Sequence, residues 1–170
     1  RYPLEKRDSS KLLIYNNGEI SQSVFTSLPS FLPQGSLMVF NNTRVVPARL
    51  FFRKETGAVI EIFCLEPVNP SDYAVSFASS ECCSWNVVIG NARKWKSGEV
   101  KLVCDVPSSE AAKLNLRAEL VSKGDNNGSI VRFIWDGGYA FYEVLDICGR
   151  IPIPPYLNRD TEELDYERYQ

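Results

Sequence analysis

The sequence predicts a strand-rich α+β protein, with a small β-barrel domain inserted into a mixed α/β domain. Three observations predict it. Short runs rich in β-branched and aromatic residues follow one another from Leu50 to Trp135, separated by turn residues at close spacing. The period then changes, because Phe141, Val144, Leu145 and Cys148 follow the i, i+3, i+4, i+7 spacing of an amphipathic helix. Composition shifts near Leu50 and again near Asp136. Residues 1–50 and 137–170 are therefore assigned to the α/β domain and residues 51–136 to the inserted barrel.

In chain order, Lys11–Tyr15 and Glu19–Phe25 read as strands joined by Asn16-Asn17-Gly18, residues that accept the positive φ of a tight hairpin. Leu28–Pro33 allows one helical turn at most. Leu37–Phe40 is a continuous apolar run, the pattern of a strand buried on both faces, and it stops at Asn41-Asn42. Pro47 cannot donate to a ladder, so the chain breaks or lies on an edge there. Leu50–Arg53 and Ala58–Leu65 flank Lys54-Glu55-Thr56-Gly57, a hairpin with glycine at its left-handed position. Glu61 interrupts an apolar face of the second arm, so its carboxylate is expected to be paired or at a rim. Tyr73–Phe77, Trp85–Ile89, Glu99–Val103, Leu114–Val121 and Ile130–Trp135 are the remaining expected strands, with a turn at 124–128. Gly137-Gly138 reads as a hinge and Gly149 as a helix stop. Ile151–Tyr156 is an extended, proline-stiffened segment.

Composition narrows the chemistry. The 170 residues are 44% hydrophobic and 24% charged with net charge −2, so any nucleic acid must meet a local gathering of basic residues. Histidine is absent and the five cysteines show no C-x-x-C spacing, which argues against a zinc site and against a nucleophile–histidine pair. Free thiols fit a reducing cytoplasm. No apolar run reaches the ~18 residues of a membrane span. No apolar segment follows Arg1-Tyr2-Pro3, and the chain is expected to begin inside its gene product.

Three groups of residues are candidates for function. Arg44 and Arg49 flank the break at Pro47, and their planar guanidinium groups, if they converge, form a clamp for carboxylate or phosphate. An ordinary strand, turn and strand with two solvated arginines is the alternative. Arg93-Lys94-Trp95-Lys96 places an aromatic inside a basic cluster, where cations hold phosphates and the ring stacks on a base. The alternative there is a turn whose Trp95 covers the barrel end. Asp165, Arg168 and Tyr169 share one helical face, and a carboxylate beside arginine stays ionised, which favours anchoring over acid catalysis. A solvated helix start with helix-favouring charges is the alternative there.

Two segments carry a resemblance. Val39-Phe-Asn-Asn-Thr-Arg-Val-Val-Pro-Ala-Arg-Leu50 resembles the N-D-T-R-V-x-P-A-R-L signature of the S-adenosylmethionine:tRNA ribosyltransferase-isomerases. Gly149-Arg-Ile-Pro-Ile-Pro-Pro-Tyr156, then Arg159 and Asp165-Tyr-Glu-Arg-Tyr-Gln170, is similar to that family's G-x-x-P-L-P-P-Y-I-x-R…D-x-E-R-Y-Q run. The resemblance implies a cytoplasmic, monomeric enzyme that transfers and isomerises the ribosyl part of S-adenosylmethionine onto 7-aminomethyl-7-deazaguanine at the tRNA wobble position, giving epoxyqueuosine. S-adenosylmethionine is then a substrate, with no cofactor, metal or membrane involved.

Thr43, Arg44 and Arg49 would hold the methionine carboxylate or a tRNA phosphate. Pro154, Pro155, Tyr156 and Arg159 would shape the pocket wall. Asp165, Arg168, Tyr169 and Gln170 would feed the active site, with Arg44 and Asp165 the candidates for catalysis. Arg93, Lys94, Trp95 and Lys96 are the RNA candidates. Asn42 stands where the family often has Asp. The family pattern continues beyond Tyr-Gln with a glycine-rich, histidine-containing run. The α/β domain is therefore expected to be incomplete here, and these 170 residues inactive alone. A non-catalytic RNA-binding barrel module is the competing reading, and a paralogue that has lost the chemistry is a third.

Overall fold

The computed structural model describes residues 4–103, 109–124, 128–153, 159 and 161–168. Two units emerge, one running through Thr43 and the other starting at Arg44.

In the first unit, β1 (Lys11–Asn16) and β2 (Glu19–Val24) form the antiparallel hairpin expected from Asn-Asn-Gly. Asn17 at φ 51° and Gly18 at φ 89° supply the two left-handed positions of the turn. A 3-10 helix, Phe25–Phe31, follows. The expected strand Leu37–Phe40 is absent. The segment has no regular structure, and Leu37 and Val39 are 89% and 87% exposed. A strand buried on both faces needs a neighbour on each side, and no described strand pairs with this one.

The second unit is built on a closed antiparallel barrel of β3 (Arg49–Arg53), β4 (Val59–Asn69), β5 (Cys82–Gly90), β6 (Glu99–Leu102), β7 (Arg117–Ser122) and β8 (Ser129–Ile134). The strand order is β3-β4-β5-β8-β7-β6. Inward residues alternate along every strand, as two-residue periodicity demands. Leu50 and Phe52, Ile60 and Ile62, Trp85 and Val87, Val100, Ala118, Val131 and Phe133 fill the interior. Closure leaves no open edge in the sheet.

Three expectations are corrected. β4 continues through Pro67 to Asn69, because register shifts at Cys64/Glu66 and Pro67/Asn69 accommodate the missing N–H. Tyr73–Phe77 is a helix, α1, because the Asp72 carboxylate accepts the Val75 N–H at 3.0 Å and caps its start. Leu114 ends a second helix, α2 (Ser109–Leu114), rather than opening β7; Asn115 at φ 42° turns the chain between them. The turn at 124–128 lies partly outside the described residues. The helix read from periodicity, α3 (Phe141–Cys148), buries Phe141, Val144 and Leu145 against the barrel core. Its first turn is closed by Glu143, whose carboxylate accepts the Ala140 N–H at 2.8 Å. A short helix α4 (Glu163–Arg168) follows.

Candidate functional site

The two sequence motifs meet at one backbone bridge. The Arg49 N–H donates to the Arg150 carbonyl at 3.2 Å, and the Arg150 N–H donates to the Arg49 carbonyl at 2.8 Å. The approach depends on Gly149, whose N–H caps α3 by donating to the Leu145 carbonyl at 2.8 Å. A Cβ on Gly149 would lie 1.9 Å from the Pro47 carbonyl oxygen, so no other residue fits between these backbones. The third motif segment docks on the same place. The Thr161 hydroxyl donates to the Ile151 carbonyl at 2.9 Å, and the Tyr166 hydroxyl to the Gly149 carbonyl at 3.4 Å.

Side chains around the bridge are arranged by charge. The Arg49 Nε donates to Glu61 Oε1 at 2.5 Å, which is the pairing expected for Glu61. The guanidinium groups of Arg49 and Arg150 lie 5.0 Å and 4.8 Å from the centre of the Phe51 ring. Two arginines directly opposite each other repel. Glu61 offsets one of these charges, and the negative face of the ring attracts both. No local feature of the sequence marks Arg150 as a site residue. Its position opposite Arg49 depends on pairing across a hundred residues, which no local pattern reveals.

Arg159 and Asp165 form a bidentate pair at 2.6 and 2.7 Å, with Asp165 2% exposed. The Glu162 N–H adds a further hydrogen bond to Asp165 Oδ2 at 2.8 Å. The carboxylate is therefore anchored by donors that all favour its charged form. The arginine beside it is Arg159; the side chain of Arg168, the expected partner, lies outside the described residues, as do Pro154, Pro155, Tyr156, Tyr169 and Gln170.

Arg44 does not share a site with Arg49. It lines an apolar pocket of about 240 Å³ with Val45, Val46, Pro47, Phe77, Tyr142 and Asp146, and Arg49 is not part of that lining. The expected clamp does not appear in that lining: Arg49 instead pairs with Glu61 through Nε and sets its guanidinium over the Phe51 ring. Asp146, one residue past the buried Leu145 on α3, brings a carboxylate to the Arg44 pocket. Thr43 is exposed, and its N–H donates to Asn41 Oδ1 at 2.9 Å in a local turn.

Trp95 is 1% exposed and its indole N–H donates to the Gly98 carbonyl at 3.0 Å. The expectation that it stacks on a base is therefore corrected: the ring closes the barrel end. Arg93, Lys94 and Lys96 remain exposed around it. Gly137 and Gly138 both take positive φ, 94° and 71°, between β8 and α3. Among the described residues no group of three or more His, Cys, Asp or Glu side chains could hold a metal ion, and no helix is long and apolar enough to cross a membrane.

Comparison with known proteins agrees with this convergence of motifs. A family model described as "Queuosine biosynthesis protein" matches residues 1–170. Similar curated proteins bear the name S-adenosylmethionine:tRNA ribosyltransferase-isomerase. That of Desulfitobacterium hafniense is 38% identical, over 100% of this chain and 44% of the relative. Those of Flavobacterium psychrophilum and Cytophaga hutchinsonii are 36% and 34% identical, over 99% and 100% of this chain and 45% of each relative. The chain thus spans about half the length of the curated relatives it matches. With every residue matched by the family model and both motifs joined at the Arg49–Arg150 bridge, the chain belongs to the queuosine biosynthesis protein family.

Proposed function

We propose that this chain is part of a tRNA-modifying transferase-isomerase. The reaction moves the ribosyl moiety of S-adenosylmethionine onto 7-aminomethyl-7-deazaguanine at the wobble position of tRNA, isomerises it to epoxyqueuosine, and releases adenine and methionine. The observation that carries the reading is the meeting of three motif segments at the Arg49–Arg150 bridge, beside the pocket lined by Arg44. S-adenosylmethionine serves as a substrate and no further cofactor is required. The enzyme works in the cytoplasm as a monomer.

The chemistry suits the residues. A sulfonium acidifies the carbon next to it, so a positioned base removes a proton and opens the rearrangement. The aminomethyl group of the modified base is the nucleophile, so the protein need not supply one. Arg44 and Asp146, opposite charges on an apolar pocket, suit the carboxylate and ammonium of the methionine part while the pocket wall takes its methylene stem. Asp165 is satisfied by Arg159 and by a backbone N–H, which supports an anchoring role.

The test is adenine release by the full-length protein with tRNA carrying the aminomethyl base. Absence of release would sink the reading. Arg44→Ala should lower turnover by roughly 100-fold, as loss of a charged substrate contact does. Because Arg44 is exposed, stability should change by no more than about 0.5 kcal/mol. Unchanged turnover would remove Arg44 from the site.

A further inference from the structure

Strand directions alternate around the barrel, so the β3–β4, β5–β6 and β7–β8 connections all emerge at one end. Two hydrogen bonds tie them together. Lys54 Nζ donates to the Lys94 carbonyl at 2.9 Å, and Lys123 Nζ donates to the Ala92 carbonyl at 3.5 Å. Trp95, buried beneath the middle connection, stiffens it and leaves Arg93, Lys94 and Lys96 facing water.

The cations continue down the barrel wall. Arg53 lies directly opposite Lys101, and Lys101 directly opposite Arg117, across three adjacent strands. Like charges placed so cost stability, and folding does not require them. Arg117 is offset by Glu99 at 4.0 Å and Asp136 at 3.6 Å. Among the described residues, neither Arg53 nor Lys101 has a carboxylate partner within ion-pair distance. Both line a groove of about 520 Å³ with Lys54, a lining in which these three cations face the two carboxylates Glu55 and Glu99. Among the described residues, the connections at the opposite end carry the carboxylates Asp72, Glu81 and Asp136 against the single cation Lys113. In a protein of net charge −2, the two barrel ends thus differ in sign.

We propose that the cationic barrel end binds the phosphate backbone of RNA, through Arg93, Lys94, Lys96 and Lys123 at the rim and Arg53 and Lys101 in the groove. The choice of RNA rests on the function proposed above. The chemistry of the surface narrows the choice as well. Among the described residues, none in these connections exposes a large apolar side chain, which a lipid-inserting surface needs. With Trp95 buried, no ring is offered to a base, so the contact is sequence-independent and governed by counterion release.

The experiment titrates the full-length protein with an unmodified tRNA transcript across a series of salt concentrations, comparing Lys94→Glu/Lys96→Glu/Lys123→Glu with the parent. Affinity should fall roughly 10-fold or more, and the slope of log K against log salt should become shallower by about 2 to 3. Lys113→Glu, on α2 at the other end, should bind like the parent. A matching triple Gln variant repeats the test should the Glu variant fail to keep the parent's Trp emission and urea midpoint. Unchanged affinity and slope in the triple variant, an equal loss in Lys113→Glu, or binding to phosphatidylserine vesicles without binding to RNA would overturn the proposal. RNA affinity lost in the triple variant of a protein that never releases adenine would leave this proposal standing and refute the enzymatic one.

Discussion

Replacing Gly149 by alanine isolates the contact that joins the motifs. Gly149 sits at φ −85°, a conformation open to any residue, so alanine adds no backbone strain. What it adds is a methyl group 1.9 Å from the Pro47 oxygen and 2.6 Å from the Leu145 oxygen. Both are backbone atoms, which cannot swing aside as a side chain can. The strand entry must move away from the helix end, and the two Arg49–Arg150 hydrogen bonds stretch with it.

Overpacking costs about 1–3 kcal/mol and each lost hydrogen bond about 1 kcal/mol, so the loss should be about 3–5 kcal/mol. For a chain of this size that lowers the melting temperature by about 6–20 °C. Gly138→Ala is the control, because a Cβ there meets nothing within 4 Å but φ is +71°. It should cost about 1–2 kcal/mol, the left-handed penalty alone. Thermal melts followed by circular dichroism give the stabilities, and amide exchange at Arg49 and Arg150 reports the bridge itself. A Gly149→Ala protein that melts within about 1 °C of the parent, with both amides still protected, would refute the steric account.

Arg159→Ala strips the bidentate partner from the buried Asp165 and should cost about 3–5 kcal/mol by urea denaturation; adding Asp165→Asn should recover part of that loss. Burial pushes the Cys83 thiol up to about 12, despite opposing contacts from Trp85 and Ser76, and pushes Cys64 up as well. In the native protein at pH 8, iodoacetamide should therefore label Cys82 well before either, as mass spectrometry of the adducts would show. The same shift has a sign in stability. Unfolded thiols ionise near pH 9.0 while the buried ones stay protonated, so this contribution is intact below that value and should be lost as pH rises from about 9 to 12. A denaturation midpoint flat across that window would contradict it.

Much of the barrel is legible in local pattern because its signals are local. Asn17-Gly18 and Gly57 mark turns by the φ they permit, and the alternation Ile60, Ile62, Cys64 marks an inward face. The i, i+3, i+4 apolar spacing likewise marks α3. Where expectation failed, the deciding contact was a single hydrogen bond or a distant neighbour. Tyr73–Phe77 carries strand-forming residues, yet one cap at Asp72 turns it helical. Leu37–Phe40 has the hydrophobicity of a central strand without, among the described residues, the ladder partners that make one. The site shows the same division. Glu61 could be flagged as an ion in an apolar face, but Arg49 as its partner depends on the β3–β4 register. The Arg93–Lys96 cluster is visible in the sequence, whereas its alignment with Lys54 and Lys123 follows only from the barrel topology.

None of the described residues before Arg44 is buried. A two-stranded hairpin with no enclosed side chain is held by little beyond its own hydrogen bonds. Local opening there is nearly free of cost, while the barrel opens only by global unfolding. Proteases acting on these 170 residues should accordingly trim the hairpin unit up to the neighbourhood of Arg44 and then stall on the barrel, so the stable product begins near that residue.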